Sequence, residues 1–147
     1  VPLSPIGGIR FLKPPVLPPD QIPEELKKEV EEEAVKIAES LERAEGRIPN
    51  RVPESEHYDL RSVNPSTREM RIIEVKGHRG LEVYGELSEP EASLAERMGD
   101  AYWLYIVYGI GIGKPRLLRF RDPLRTMNWK VFERVEKRKR YFVWPRD

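Results

Sequence analysis

Eight consecutive residues, Ala101 to Tyr108 (AYWLYIVY), carry no charge and are almost all apolar or aromatic. A run of this kind reads as a strand covered on both faces, at the centre of a sheet. The rest of the chain must then supply the layers that cover it.

Helices to do so are legible. From Glu24 to Glu45 there is no glycine or proline, and Glu, Lys, Ala and Leu dominate. That composition predicts a long helix. Pro23 sits where a first-turn proline is tolerated, Glu24 and Glu25 suit the positive N-terminal end, and Gly46 is a plausible stop. Val30, Ala34, Ile37, Ala38 and Leu41 form its apolar stripe. A second helix is expected to start after Ser88, with Glu91 completing a capping box, and to end near Met98 before Gly99.

The strands are shorter. Tyr58 to Val63 reads as one, followed by turn chemistry at Asn64-Pro65-Ser66-Thr67. Met70 to Val75 is the next, ended by Gly77. Leu81 to Leu87 alternates apolar and charged residues and suggests a third strand in a meander. Arg116 to Phe120 is another, ended by Asp122-Pro123. Val131 to Val135 reads as a short helical or irregular piece, and Tyr141 to Trp144 as a last, edge strand. Ile48 to Glu56 reads as a polar, proline-punctuated connection. The order predicts an α/β or α+β sheet with helices packed on it. Gly109, Gly111 and Gly113 lack the strand-then-helix context of a phosphate loop and read as a flexible connection.

At 147 residues the chain fits one domain with a real core. Residues 1–23 hold half of the 14 prolines. Proline fixes φ and lacks an amide donor, so this segment is read as an extended arm or linker before a single domain over residues 24–147. The sequence begins at a valine, which fits a fragment of a longer protein. There is no cysteine, which excludes disulfides and thiolate metal sites. With only His57 and His78, a multi-histidine zinc site is not expected. No apolar run approaches the roughly 20 residues of a membrane span, and no signal peptide is visible. A cytoplasmic location with no membrane partner is the expectation. Abundant Glu, Lys and Arg, with Gln21 the only glutamine, fits a heat-adapted source.

Charge is segregated although the net charge is only +1. Beyond Gly113 basic residues dominate, interleaved with Trp129, Tyr141, Phe142 and Trp144, as a basic C-terminal extension. Such a stretch fits contact with a phosphate backbone, and Arg79, Lys114, Arg116, Arg119 and Arg121 are the candidates for nucleic-acid binding. The bland alternative is a solvated face that balances the acidic first helix.

The most pointed chemistry lies between His57 and Gly77. Residues two apart on a strand share a face, so Glu74 and Lys76 point one way and Ile73 and Val75 the other. Antiparallel pairing across the turn brings Asp59 near Glu74. Two carboxylates, with the Val75 carbonyl as a further ligand, can hold magnesium or manganese, which prefer oxygen. The metal would polarise a scissile phosphate and acidify a bound water, while Lys76 orients that water or stabilises developing charge. Glu31 and Glu42 lie eleven residues apart on the first helix, about 20° from each other around its axis, and border the apolar stripe. Either could complete the site, Glu31 as the accessory carboxylate and Glu42 as the runner-up. Alternatively they are solvated members of an acidic helix surface, and Asp59, Glu74 and Lys76 are a cross-strand charge network on a half-exposed sheet.

Asp59 followed by Glu74-Val75-Lys76, after an acidic helix, resembles the PD-(D/E)xK nuclease core. More narrowly, the chain is similar to the NO VEIN C-terminal-like domain, a family of unknown function often found at the end of helicases and restriction-type proteins. Val30-Glu31 with Ala34, Glu42 with Gly46-Arg47, Tyr58-Asp59-Leu60 with Ser62, and Ile73-Glu74-Val75-Lys76-Gly77 carry the likeness. Gly99-Asp100, Tyr102-Trp103-Leu104-Tyr105 and Asp122-Pro123 extend it. His57 departs from the family's usual glycine. Leu87 to Glu91 departs from its usual threonine and asparagine-glutamate pattern, so the resemblance assigns Glu91 no role. The resemblance implies a restriction-endonuclease-like core, a mixed sheet of about four to five strands flanked by helices, and a magnesium- or manganese-dependent phosphodiester site. The expected function is a nuclease domain acting on DNA, carried by a larger helicase or restriction-type protein. The alternative is a catalytically silent module, on the same fold, that binds nucleic acid or protein.

Overall fold

The computed structural model describes residues 23–133 and 139–147. The proline-rich arm through residue 22, and the part of the basic segment over 134–138, lie outside the described residues.

Helix α1 (Glu24–Ala44) carries the predicted stripe: Val30, Ala34 and Ala38 are buried, and so is Glu42. Two strands follow, β1 (Ile48–Arg51) and β2 (Leu60–Val63), and then the long β3 (Met70–Gly77). Strand β4 (Gly85–Ser88) leads into α2 (Glu89–Met98), and α2 into β5 (Tyr102–Tyr108). Strand β6 (Arg116–Arg121), a one-turn helix α3 (Pro123–Thr126), β7 (Asn128–Glu133) and β8 (Lys139–Trp144) complete the order.

The main sheet is mixed, in the order β1-β2-β3-β5-β6. Strands β3 and β5 run parallel, and every other neighbour is antiparallel. Strand β5 is interior and buried on both faces, as its composition requires. On one side Ile73, Val75, Tyr105 and Val107 pack against Val30, Ala34 and Ala38 of α1. On the other, Leu104 and Ile106 pack with Ala92 of α2, with Leu87 and Val143 of a second sheet, and with Met127, which follows α3. That sheet is antiparallel, in the order β4-β8-β7.

Helix α1 lies close against the end of β3. A Cβ built on Gly77 would stand 2.8 Å from Ala34 Cβ and 3.1 Å from the Val30 carbonyl oxygen. The glycine that follows Lys76 is therefore a packing requirement of the helix above it.

Four sequence expectations are corrected. Residues 48–51 form an edge strand, where Pro49 is tolerated because an edge need not donate every amide. The strand expected to start at Leu81 begins at Gly85 and joins the second sheet, so β4 does not continue a meander from β2 and β3. Alternation reports which face a side chain takes, not which strand it pairs with. Val131 lies in β7 and is extended, not helical or irregular; Val135 lies outside the described residues. The last strand, β8, is not an edge but the centre of its sheet, between β4 and β7.

Candidate active site on the α2 face of strand β3

Strand β2 pairs with β3 only from Leu60 onward. Just before it, the Asp59 amide donates to the Ile73 carbonyl at 2.9 Å. The next outward-facing amide of β3, that of Val75, donates instead to Asp59 Oδ2 at 2.7 Å. Asp59 therefore seals the point where β2 leaves β3 and holds its carboxyl beside Glu74. Because Ile73 and Val75 present their backbone groups to the same edge, the Val75 carbonyl also points there.

Alternation along β3 sends Glu74 and Lys76 away from α1, as the spacing predicts. Glu74 Oε2 lies 3.1 Å from Lys76 Nζ, and Glu91 Oε1, from the first turn of α2, lies 3.2 Å from the same ammonium. Glu91 also closes the capping box: its Oε1 accepts from the Ser88 amide at 2.9 Å, and its own amide donates to Ser88 Oγ at 3.2 Å. Glu74 is 4% exposed, so this is no open surface network.

Three carboxyls and one ammonium, fully ionised, would leave an excess of two negative charges in a buried place. The protonation equilibria respond to that. Burial pushes the Asp59 carboxyl above its usual range, against the Val75 amide and the Lys76 charge. Burial pushes Glu74 well above the ordinary glutamate value, with the Asp59 and Glu91 charges adding to it and Lys76 opposing. The Asp59 charge itself raises Glu74, so the two carboxyls resist ionising together. Burial disfavours the Lys76 charge, but Glu74, Glu91 and Asp59 outweigh it and hold the amine protonated. Glu91 is different: burial opposes its ionisation, yet Lys76 and the Ser88 amide bring it below the usual carboxylate range.

Tyr102, at the start of β5, is fully buried, and its hydroxyl has no hydrogen-bond partner. Burial and the charges of Glu74, Glu91 and Asp59 push the phenol well above its ordinary value. A buried hydroxyl with no partner, in the field of three carboxylates, is a donor without an acceptor.

Asp59, Glu74 and Lys76 thus come together. The two glutamates of α1 do not join them. Glu42 is fully buried on the opposite face of the sheet, where Ser62 Oγ donates to it at 2.7 Å, the Tyr105 hydroxyl at 2.6 Å and Arg71 at 3.2 Å. Arg47 and Arg119 complete that cluster. Neither of the two readings of Glu42 foresaw it, because a glutamate at a stripe border takes its place from partners distant in sequence. Glu31 is exposed on α1, again on the far side of the sheet. The place expected for a helix carboxylate belongs to Glu91 of α2. The Ser88/Glu91 capping box was legible, but its link to a lysine on another element was not. Tyr102 left no signal beyond its place in an apolar run.

The basic candidates divide. Arg79, Lys114 and Arg116 are exposed near the C-terminal ends of β3 and β5, where the loops after these strands are joined by the Gly109 amide donating to the Gly80 carbonyl. Arg119 and Arg121 are on the α1 face. Arg119 pairs with Glu45 at 2.7 Å, and Arg121 donates to the Asp100 carbonyl at 2.7 Å and lies over the Trp103 ring.

The sequence matches the family model described as protein NO VEIN, C-terminal, over residues 30–120. The chain belongs to the NO VEIN C-terminal family. The matched segment of this NO VEIN C-terminal domain runs from α1 to β6 and contains all of Asp59, Glu74, Lys76, Glu91 and Tyr102. Neither the curated proteins nor the solved structures gave a match. No helix among the described residues is long and apolar enough to cross a membrane.

Among the described residues no three or more His, Cys, Asp or Glu side chains are grouped to hold a metal. What the site offers is two oxygen-donor carboxyls, Asp59 and Glu74, beside the Val75 carbonyl. Few protein ligands suffice for magnesium, which keeps several of its waters. The orphan Tyr102 hydroxyl and the two carboxyls that resist ionising unaided both fit a hydrated cation there.

Proposed function

We propose that this domain is a metal-dependent nuclease that hydrolyses phosphodiester bonds in DNA, built on a PD-(D/E)xK, restriction-endonuclease-like core. We place it in a larger helicase or restriction-type protein. The observation that carries the reading is the convergence of Asp59, Glu74 and Lys76 on one buried face of β3, with more carboxyl than ammonium charge. Fully ionised, the cluster would hold more negative than positive charge, and Asp59 and Glu74, which resist ionising, are the carboxyls a bound cation would relieve.

Asp59 and Glu74 would hold magnesium or manganese, with the Val75 carbonyl beside them. When bound, the metal supplies Lewis-acid polarisation of the phosphate and a more acidic water. The chain does the rest. Lys76 keeps its ammonium charged against burial and sets it where negative charge develops on the phosphoryl oxygens. The Tyr102 hydroxyl, buried without a partner in the field of these carboxyls, would be free to donate to a water bound there. The sheet and α2 exclude bulk water, which strengthens each of these interactions. Arg79, Lys114 and Arg116, exposed at the same end of the sheet, would contact the backbone of the nucleic acid. Arg119 and Arg121 are engaged elsewhere and would contribute less.

The test is cleavage of a panel of single-stranded, duplex and forked DNA with magnesium or manganese. Wild type is expected to cleave at least one member, and Lys76→Ala and Asp59→Asn none. If folded wild type leaves every substrate intact with both metals, the enzymatic reading fails.

One observation favours a second reading. Lys76 is already held between Glu74 and Glu91, an arrangement that also suits a site kept only for structure. A silent module of this kind would bind DNA without metal, in a salt-sensitive manner, and Lys76→Ala would bind as well as wild type.

A further inference from the structure

One oxygen serves both the capping box of α2 and the lysine of β3. Glu91 Oε1 accepts from the Ser88 amide at 2.9 Å and lies 3.2 Å from Lys76 Nζ. The first bond fixes the carboxylate at the start of the helix. The second ties to that fixed point an amine from a different element, 15 residues earlier in the chain. We propose that Glu91 is a positioning residue: it holds the Lys76 ammonium over Asp59 and Glu74 and is not itself a metal ligand. The proposal rests on the reading of this cluster as a hydrolytic site.

The argument is one of exchange. A lysine ammonium sits on a flexible four-carbon stem, and fixing it costs rotamer entropy. Two carboxylates hold it here, Glu74 at 3.1 Å and Glu91 at 3.2 Å. A cation bound by Asp59 and Glu74 would compete with Lys76 for Glu74. An ammonium held by Glu74 alone would then be free to swing away. Glu91 remains, because the Ser88 amide and the reciprocal Ser88 hydroxyl bond fix its carboxylate whatever occupies the site. The lack of a three-carboxylate group among the described residues agrees with Glu91 belonging to the lysine.

Two substitutions separate the cap from the charge. Glu91→Gln keeps a carbonyl oxygen for the Ser88 amide, since glutamine also closes a capping box, but removes the charge facing Lys76. Ser88→Ala removes the hydroxyl of the cap and leaves that charge in place. The full chain is examined by NMR relaxation of the Lys76 side chain without metal, by thermal melting, by manganese affinity, and by kcat and KM on any DNA that wild type cleaves. Glu91→Gln is expected to drop the order of the Lys76 ammonium to that of a surface lysine. It should also lower kcat about 10- to 100-fold, with KM, manganese affinity and melting temperature near wild type. Ser88→Ala should lower the melting temperature and leave Lys76 ordered. The proposal is overturned if Lys76 stays ordered in Glu91→Gln, or if Glu91→Gln loses manganese affinity as Asp59→Asn does. If wild type cleaves nothing but Lys76 loses order in Glu91→Gln, the positioning role stands and the nuclease reading falls.

Discussion

His57 is held at φ 64° and ψ 31°, in the left-handed region, as it closes the single turn over Glu54–Glu56. A side chain with a Cβ costs roughly 1 to 2 kcal/mol there, a strain that glycine does not carry. His57→Gly is therefore expected to raise stability by about 0.5 to 1 kcal/mol in urea unfolding, after the entropy glycine adds to the unfolded chain. Unchanged or lower stability would show that the imidazole makes compensating contacts. Tyr102 poses the opposite trade. Its hydroxyl is buried without a partner. Tyr102→Phe should stabilise the metal-free protein by about 1 kcal/mol, because an unsatisfied polar group is removed at constant shape. The same change should lower the cleavage rate if that hydroxyl serves the site. Calorimetry and single-turnover kinetics on one variant read both signs. Neither feature could be read from residue types alone: a tyrosine in an apolar run looks like core until its hydroxyl is found without an acceptor.

At the scale of elements, the packing of α1 on β3 decides where chemistry can happen. Gly77 leaves room for Ala34 and the Val30 carbonyl, so Gly77→Ala must push the helix or the strand end aside. It is expected to cost about 2 to 3 kcal/mol, measured by denaturant unfolding, and to disturb Lys76 next to it. Period-two alternation in Ile73-Glu74-Val75-Lys76 told correctly which residues share a face, because that rule is local. The choice of helix was not legible. Both helices are acidic, but α1 covers the apolar face of β3 and α2 the charged one. Only the crossover that joins β3 to β5 in parallel settles it. Glu42, at the border of the α1 stripe, therefore belongs to an arginine- and tyrosine-bound cluster on the other face, and Glu91 of α2 takes the place foreseen for it. The same limit moved β4 into a second sheet, since its partner β8 lies far along the chain.

Across the whole molecule, His78 links the two sheets. It follows β3 directly, its ring stacks on Tyr84 at 4.0 Å, and Tyr84 stacks on Phe142 of β8 at 4.9 Å. Burial lowers the His78 pKa from its ordinary 6.5, aided by the Lys76 charge and opposed by the bond it donates to the Tyr84 carbonyl. The folded state thus resists a proton that the unfolded chain accepts. Stability is expected to be level above about pH 6.5 and to fall as pH drops toward the lower folded pKa, by at most about 1.4 kcal/mol per unit from this residue. His78→Phe keeps the stack and should remove that share of the slope between pH 7.5 and 5.5 in urea titrations. An unchanged slope would assign the pH dependence to the carboxyls. The central claim, however, concerns one face of the main sheet. Its most direct test is the rate at which wild type, Asp59→Asn and Glu31→Gln cleave an end-labelled DNA duplex and its single strand with magnesium or manganese. Cleavage by wild type, lost at least about 100-fold in Asp59→Asn and kept in Glu31→Gln, is the predicted result. No cleavage by the folded wild type, or equal loss in both variants, would contradict it.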